Sequence, residues 1–257
     1  MNLITHNNMK LVIDYGNTLI KIAVFNKDSL IDLRLFKKIS VEQLKLLIDE
    51  FELKYDIYNR VRFAIISSVI RYPVEIKEYL ESTFSFIELN NKTKLPVKTK
   101  YKTPETLGND RIAAVVAASG LFPSADLLII DAGTCITYDF INSKKEHYGG
   151  GISPGINMRF KALNTFTDKL PLISRNTDTE LIGCSTEGSI QSGVLNGILA
   201  EVDEIINRYK QDFPSIKIIF TGGDMKYFER RLKNNIFANS NLVLTGLNMI
   251  LNFNFKK

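Results

Sequence analysis

The stretch IDYGNT, residues 13–18, separates two apolar runs near the start of the chain. Residues 10–14 are rich in β-branched side chains and residues 19–25 repeat that pattern, so we expect an antiparallel β-hairpin with its turn at Gly16. Glycine freely adopts the positive φ that such turns require, and its backbone N–H can then point inward at a phosphate oxygen. The hairpin is therefore predicted to carry a phosphate-binding loop.

Polar side chains around this turn fit the same prediction. Asp14, beside Tyr15 at the end of the first strand, can hold Mg²⁺ through bound waters. Asn17 and Thr18 can donate hydrogen bonds to phosphate oxygens, and Lys21 supplies a positive charge. A hairpin turn that contains asparagine is also common without any ligand, so this motif alone leaves a plain structural turn open.

A second copy of the pattern, IDAGT at residues 130–134, occurs close to half the chain length further on. It aligns Asp131 and Gly133 with the aspartate and glycine of the first turn, and it also stands between two strand-like runs. Two such turns facing each other across a cleft would hold a triphosphate from both sides. We therefore expect two similar α/β domains.

A third turn, TGGD at residues 221–224, follows a strand-like run and precedes a helix. The backbone at Gly222 and Gly223 is suited to contacts with a phosphate or a nucleoside. With the duplicated turns, this order predicts a first domain over residues 9–115 and a second domain over residues 116–257.

The rest of the chain predicts helices, one long loop and a glycine-rich turn. Residues 90–106 are polar and contain two prolines, and a loop of this length is usually functional, so we expect substrate contacts there. Residues 149–155 are predicted as a turn that leads into a helix, and the apolar run 246–253 is predicted to close the second domain. Apolar spacing predicts helices at 41–53 with Ser40 as cap, 74–84, 111–119 up to Gly120, 152–163 and 186–209.

Composition indicates an ordinary globular protein. Hydrophobic residues make up 45% and charged residues 24% of the 257 residues. No apolar run approaches the roughly 18 residues of a membrane-spanning helix. Residues 1–10 lack the apolar core of a secretory signal, so we expect a disordered lead over the first eight residues and a cytoplasmic protein.

Cysteines and charge exclude further classes. Cys135 and Cys184 are the two cysteines and have no CxxC spacing, which argues against a disulfide framework or a zinc site. The formal net charge of +5 comes from Lys and Arg residues scattered among acidic ones. We therefore expect neither nucleic acid nor a membrane as a partner.

The order of the three turns resembles the superfamily of actin, hexokinase and the 70-kDa chaperones. Within that superfamily, further motifs resemble the type III pantothenate kinases over nearly the whole chain from residue 10. These motifs are Tyr101, GNDR at residues 108–111, GGGISPG at residues 149–155, and Thr186 at the start of a glycine-spaced helix. The resemblance implies two actin-like, ribonuclease H-like domains that face each other across a nucleotide cleft.

The resemblance also implies a function. It implies an alcohol-directed phosphotransferase that makes 4′-phosphopantothenate from ATP and pantothenate, the first step of coenzyme A biosynthesis. The implied cofactors are ATP, Mg²⁺ and a monovalent cation, K⁺ or NH₄⁺, which Asp131 would hold. The positions implied for ATP are Asp14, Tyr15, Gly16, Asn17, Thr18, Lys21, Thr134, Gly222 and Gly223. Those implied for pantothenate are Tyr101, Gly108, Asn109, Asp110, Arg111 and Thr186.

Two of these positions have a physical rationale of their own. Arg111 suits the substrate carboxylate, because its planar guanidinium can bond a carboxylate through two donors. Asp110 is the implied general base, but it also precedes the predicted helix 111–119, where it would be a good N-cap. Capping and the helix dipole favour the ionised form, which weakens a base. Phosphoryl transfer tolerates this, since the attacking hydroxyl loses its proton late.

Some alternatives stay open. The chain could be another small-molecule kinase of the same superfold, acting on a sugar or a small carboxylic acid. It could also be a non-catalytic nucleotide-binding regulator that binds a partner through its basic surface. Family members are homodimers, so the small residues Gly188, Ser192, Gly193 and Gly197 predict either a subunit interface or ordinary packing. His147 is expected to be exposed beside a strand edge.

Overall fold

The computed structural model describes residues 9–55, 61–176 and 179–255, which form two compact α/β units. The first unit runs to Leu121 and also includes the segment from Asn241 onward, whereas the second unit is Phe122–Ser240. The predicted lead at residues 1–8 lies outside the described residues.

The first unit is built on a five-stranded sheet of order β3-β2-β1-β4-β5. Strands β1, β2 and β3 are antiparallel neighbours, and β4 and β5 continue the sheet parallel to β1. The predicted hairpin is present. The elements are β1 (Met9–Tyr15), β2 (Ile20–Asn26), β3 (Ser29–Phe36), α1 (Val41–Tyr55), β4 (Val61–Ser68), α2 (Val74–Thr83), β5 (Ser85–Glu88), β6 (Lys98–Thr99), a 3₁₀ helix (Pro104–Thr106) and α3 (Asn109–Leu121).

The second unit repeats the hairpin and its parallel neighbour. Its strands run in the order β11-β10-β7-β8-β9, in which β7, β8 and β9 are antiparallel neighbours and β10 is parallel to β7. The elements are β7 (Leu127–Ala132), β8 (Cys135–Ile141), β9 (Glu146–Pro154), α4 (Ile156–Thr165), α5 (Thr186–Asp212), β10 (Lys217–Thr221), α6 (Met225–Glu229) and β11 (Phe237–Ala238).

The last helix, α7 (Leu242–Phe255), returns to the first unit and packs against α3. The backbones approach so closely that a Cβ at Gly246 would overlap the carbonyl oxygen of Ala113. The prediction that residues 246–253 close the second domain is therefore wrong. The boundary predicted after residue 115 also differs from the structure, because α3 belongs whole to the first unit. Gly120 lies inside the last turn of α3 rather than after it.

Side-chain alternation along β1 separates the two faces of the first sheet. Leu11 and Ile13 are buried in the core that includes side chains of α1 and α2. Lys10 faces the other way, where its Nζ donates to Asn252 Oδ1 of α7 at 2.7 Å. Asp14 is four residues from Lys10 on the same strand, so the two side chains point to the same face of the sheet. Helices α3 and α7 cover that face.

Polar contacts fix both ends of α1. The predicted cap is confirmed: Ser40 Oγ accepts a bond from Gln43 N at 3.3 Å, and Gln43 Oε1 accepts one from Ser40 N at 3.0 Å. At the other end, Asp32 of β3 accepts bonds from Lys54 Nζ at 3.0 Å and Tyr55 Oη at 2.8 Å. Burial opposes ionisation of Asp32, but these bonds and the charge of Arg34 hold its pKa below the usual range.

Strand β9 corrects two predictions. Residues 149–155 are predicted as a turn, but the residues up to Pro154 belong to β9. The helix predicted to begin at residue 152 begins at Ile156 in the structure, as α4. The glycines serve close strand packing, since a Cβ at Gly150 would overlap the Tyr138 carbonyl oxygen. His147, expected to be exposed, is fully buried, with Nε2 2.7 Å from Asp139 Oδ1.

Within residues 9–55, 61–176 and 179–255, no helix is both long enough and apolar enough to span a bilayer.

Candidate active site

The loop between β1 and β2 is a tight turn, but the positive φ expected at Gly16 is absent, since the described glycines with positive φ are Gly149 and Gly222. Gly16 N donates to Leu19 O at 3.2 Å, and a Cβ at Gly16 would stand only 2.9 Å from that oxygen, so a side chain would crowd the turn. Asn17 and Thr18 are exposed at its tip. Asp14 and Lys21 are paired directly across the two strands, with Lys21 Nζ 3.4 Å from Asp14 Oδ2.

Asp14 is a buried acidic residue whose charge is affected by two neighbours. Asp14 lies near the carboxyl end of β1 and is only 8% exposed. Burial raises the pKa of Asp14, the charge of Lys21 lowers it, and the negative charge of Asp110 raises it further. The fold therefore places the Asp110 carboxylate, distant in sequence, within electrostatic range of Asp14. Two such carboxylates favour a cation that neutralises both.

Asp110 is held in a fixed position at the start of α3. Its Oδ1 accepts a bond from Arg111 N at 2.8 Å, and a Cβ at Gly108 would stand 2.5 Å from the same oxygen. Asn109 Nδ2 donates to Leu89 O at 2.9 Å, which ties the helix start to the end of β5. The predicted helix start at residue 111 is two residues late, so Asp110 lies within the first turn rather than ahead of it.

Tyr101 and Arg111 also come together. Arg111 is 7% exposed, and its Cζ lies 5.6 Å from the centroid of the Tyr101 ring, within cation–π range. A cavity of about 400 Å³ is lined by Gly108, Asn109 and Ile112, although Tyr101 and Arg111 are not among its lining residues. Parts of the predicted loop 90–106 line this cavity. The sequence-predicted substrate residues of the first unit thus form one group.

In the second unit, two of the predicted binding residues, Asp131 and Gly222, lie close together at the ends of β7 and β10. Asp131 is in register with Thr221, and Gly222 follows with φ at +100°. A Cβ at Gly222 would overlap the Ala132 carbonyl oxygen and stand 2.5 Å from Asp131 Oδ1. The carboxylate and this carbonyl therefore lie side by side. Asp224 N donates to the same Ala132 oxygen at 2.9 Å, which links the two turns.

The remaining predicted positions of the second unit are Thr134, Gly223 and Thr186. Thr134 O accepts a bond from Gly155 N at 3.1 Å, so the residue between β9 and α4 supports the second turn. Gly223 is open: no atom of the described residues lies within 4 Å of a Cβ built there. Thr186 begins α5, whose cap Ser185 accepts a bond from Gly188 N at 3.0 Å. Thr186 belongs to the second unit and Tyr101 to the first.

Sequence reasoning missed Ser67. This residue of β4 is the register partner of Asp14 and is 1% exposed. The available signal was a pair of serines at the end of an otherwise apolar run, where a polar side chain is out of pattern for a buried strand.

Solved structures define the class of this protein. A glucokinase from an Antarctic psychrotroph aligns over 96% of this chain and 99% of its own, with a TM-score of 0.53 and 11% identity. A Campylobacter jejuni protein described as a Baf family transcriptional activator aligns over 95% of this chain and 98% of its own, with a TM-score of 0.60 and 24% identity. At these identities the likeness concerns the fold, which is the actin-like α/β fold of the sugar kinases. The predicted fold class is confirmed.

The family follows from sequence. The sequence model of the family described as Type III pantothenate kinase matches residues 10–208. A relative from Christiangramia forsetii, named type III pantothenate kinase, is 46% identical over 246 residues, which are 96% of this chain and 99% of the relative. The chain belongs to the type III pantothenate kinase family, and it is therefore a kinase.

Proposed function

We propose that this protein transfers the γ-phosphoryl group of ATP to pantothenate and so makes 4′-phosphopantothenate, the first step of coenzyme A biosynthesis. Family membership supports the proposal, because the relatives are named for this activity. The observation that carries it is the placement of the buried Asp14 near the carboxyl end of β1 and of Asp110 and Arg111 in the first turn of α3, with the Asp110 charge acting on Asp14. Of the alternatives, another sugar or acid kinase and a non-catalytic regulator have no such support.

The phosphates of ATP are proposed to bind at the glycine turns. In the first unit, Asn17 and Thr18 are exposed at the tip of the hairpin, next to Tyr15 and the turn residue Gly16. Lys21 adds a positive charge, which its contact with Asp14 keeps in place. In the second unit, the turn at Thr134 and the Gly222–Gly223 pair provide further backbone donors for the nucleotide.

Asp110 is proposed to act as the general base. It would accept the proton of the pantothenate primary hydroxyl as the hydroxyl oxygen attacks the γ-phosphorus and ADP leaves. The hydrogen bond from Arg111 N holds the carboxylate, and orientation matters more than basicity when the proton is transferred late.

Pantothenate is proposed to lie beside Arg111. The buried guanidinium stacks on Tyr101, and its charge suits the carboxylate of the substrate. The cavity of about 400 Å³ lined by Gly108 and Asn109 is within the usual size range of small-molecule sites. Gly108 and Asn109 border this cavity, and Thr186 is proposed as an additional substrate contact, by resemblance to the family.

The residues present fit the two ions that the family implies. A Mg²⁺ ion bound with ATP would neutralise phosphate charge. Asp14 could hold it through bound waters, and within the described residues no cluster of three or more acidic, histidine or cysteine side chains forms a complete cage. Asp131 lies beside the Ala132 carbonyl oxygen, an all-oxygen pair suited to the weakly bound K⁺ or NH₄⁺ proposed here.

A homodimer in the cytoplasm is part of the proposal. Gly193 and Gly197 lie one turn apart on an exposed face of α5. Among the described residues, no atom lies within 4 Å of a Cβ built at either glycine, so this close-approach surface is not used within the chain. A second subunit packing there would explain it.

The variant Asp110→Asn tests the proposed reaction. We expect turnover to fall about 10²- to 10⁴-fold, the usual contribution of a general base, while ATP still binds. The matched control is Asp49→Asn, which removes an exposed carboxylate from α1 of the same unit and should leave turnover unchanged. Near wild-type turnover in Asp110→Asn would exclude Asp110 as base, and ATP consumption independent of pantothenate would exclude the reaction.

A further inference from the structure

Strand β4 carries a buried hydroxyl that the protein does not use internally. Ser67 is 1% exposed, and its Oγ has no hydrogen-bond partner among the described residues. A buried hydroxyl without a partner is destabilising, because it has lost its hydrogen bonds to water. Such a group is kept more readily where a ligand completes its hydrogen bonding.

The sheet places this hydroxyl beside Asp14. Strands β1 and β4 are parallel, with Asp14 directly opposite Ser67, so the two side chains point to the same face of the sheet. The next residue back, Ile66, is buried in the opposite core with the side chains of α1 and α2. Ser67 therefore faces the side on which α3 starts.

The start of α3 completes the group. Asn109 Nδ2 lies 3.4 Å from Ser68 O and 2.9 Å from Leu89 O, so the first turn of α3 is fixed at the ends of β4 and β5. Asp110 follows within that turn, close enough for its charge to act on Asp14. A hydroxyl and two carboxylates thus converge from three elements of one unit.

This donor set has the chemistry of an outer coordination shell. Mg²⁺ keeps several waters when it binds proteins, and those waters donate their hydrogens outward. Carboxylate oxygens accept such bonds, and a serine hydroxyl has two lone pairs that can do the same. A bound, hydrated cation would therefore satisfy the Ser67 hydroxyl.

We propose that Ser67 is a further ligand-binding residue of this site, whose hydroxyl accepts a hydrogen bond from a water of the divalent cation held at Asp14. The inference rests on the proposed function only in that the cation arrives with the nucleotide. It does not depend on the identity of the phosphoryl acceptor.

The test compares Ser67→Ala with Ser68→Ala in the full chain. Mg²⁺ is titrated in the presence of ADP, with binding followed by calorimetry, and the melting temperature is measured without ligand. We expect Ser67→Ala to weaken Mg²⁺ binding about five- to tenfold, the effect of one lost hydrogen bond. Its melting temperature should be unchanged or up to about 3 °C higher, since no internal bond is lost.

Ser68→Ala is the control for the sign of the stability change. Ser68 Oγ donates to Ile70 O at 2.6 Å, so its removal should lower the melting temperature. Unchanged Mg²⁺ binding in Ser67→Ala would overturn the proposal, and so would a fall in melting temperature like that of Ser68→Ala. Since neither readout needs pantothenate or turnover, failure of the proposed reaction would be seen separately, as absent phosphorylation by the wild type.

Discussion

Replacing Gly222 with alanine should destabilise the second unit, whereas the same change at Gly223 should not. At Gly222, φ is +100°, a conformation that costs a residue with a Cβ about 1–2 kcal/mol. The new Cβ would also overlap the Ala132 carbonyl oxygen and stand 2.5 Å from Asp131 Oδ1. Moving the turn to relieve this overlap weakens the 2.9 Å bond from Asp224 N to Ala132 O, at about 1 kcal/mol.

Together these terms come to about 2–3 kcal/mol, which at about 2–4 °C per kcal/mol for a chain of this size lowers the melting temperature by about 4–12 °C. Gly223→Ala is the matched control, because a Cβ there has no described atom within 4 Å. Thermal unfolding of both variants without ligand, followed by circular dichroism, measures the difference. Equal melting temperatures for Gly222→Ala and Gly223→Ala would refute the reasoning.

Three further changes probe the first unit. Gly108→Ala puts a Cβ 2.5 Å from Asp110 Oδ1, so the carboxylate must rotate. Steady-state kinetics should show kcat about 10- to 100-fold lower, with little change in melting temperature. An unchanged kcat would contradict this. Arg111→Met should raise the KM for pantothenate about 10- to 100-fold without a matching rise for ATP, since it removes a charge-assisted bond; equal rises would argue against a carboxylate partner. Because the pKa of Asp32 is lowered in the folded protein, its contribution is present above about pH 4 and is lost as the pH falls through that lowered pKa. Asp32→Asn should therefore lower the free energy of unfolding by about 1–2 kcal/mol at pH 7 but by little in acid. Denaturant titrations at pH 7 and pH 3 measure this difference. An equal loss at both pH values would contradict the ion-pair account.

The turns that define the fold were predictable because their residues have local causes. The aspartate at a strand end and the glycine after it identify both hairpins from sequence alone. Their duplication also predicts two similar units, as the pairing of β1 with β2 and of β7 with β8 confirms. Local signals of this kind do not depend on what packs against the strand.

Glycine in β9 shows where such local reasoning fails. A glycine-rich run normally indicates a turn, but Gly150 is required because the backbone of β8 leaves no room for a side chain. His147 fails for a related reason. Its partner Asp139 lies on the neighbouring strand, and only the register of β8 with β9 brings the two together.

The course of the C-terminal helix could not be derived from chain order. An apolar run at the end of a sequence is most simply assigned to the preceding domain, yet α7 packs on α3 of the first unit. The alanine-rich surface of α3 and Gly246 are complementary, but this is visible only once both helices are placed. Ser67 was missed in the same way, since its register with Asp14 is a property of the sheet.

The most direct measurement is ADP release by the purified protein with ATP, Mg²⁺ and pantothenate, run in K⁺ and again with Na⁺ alone. The account predicts turnover that requires pantothenate, forms one phosphorylated product, and is lost or much reduced when Na⁺ replaces K⁺. ATP binding without pantothenate-dependent turnover in either salt would contradict the proposed reaction, and equal turnover in both salts would contradict the cation proposed at Asp131.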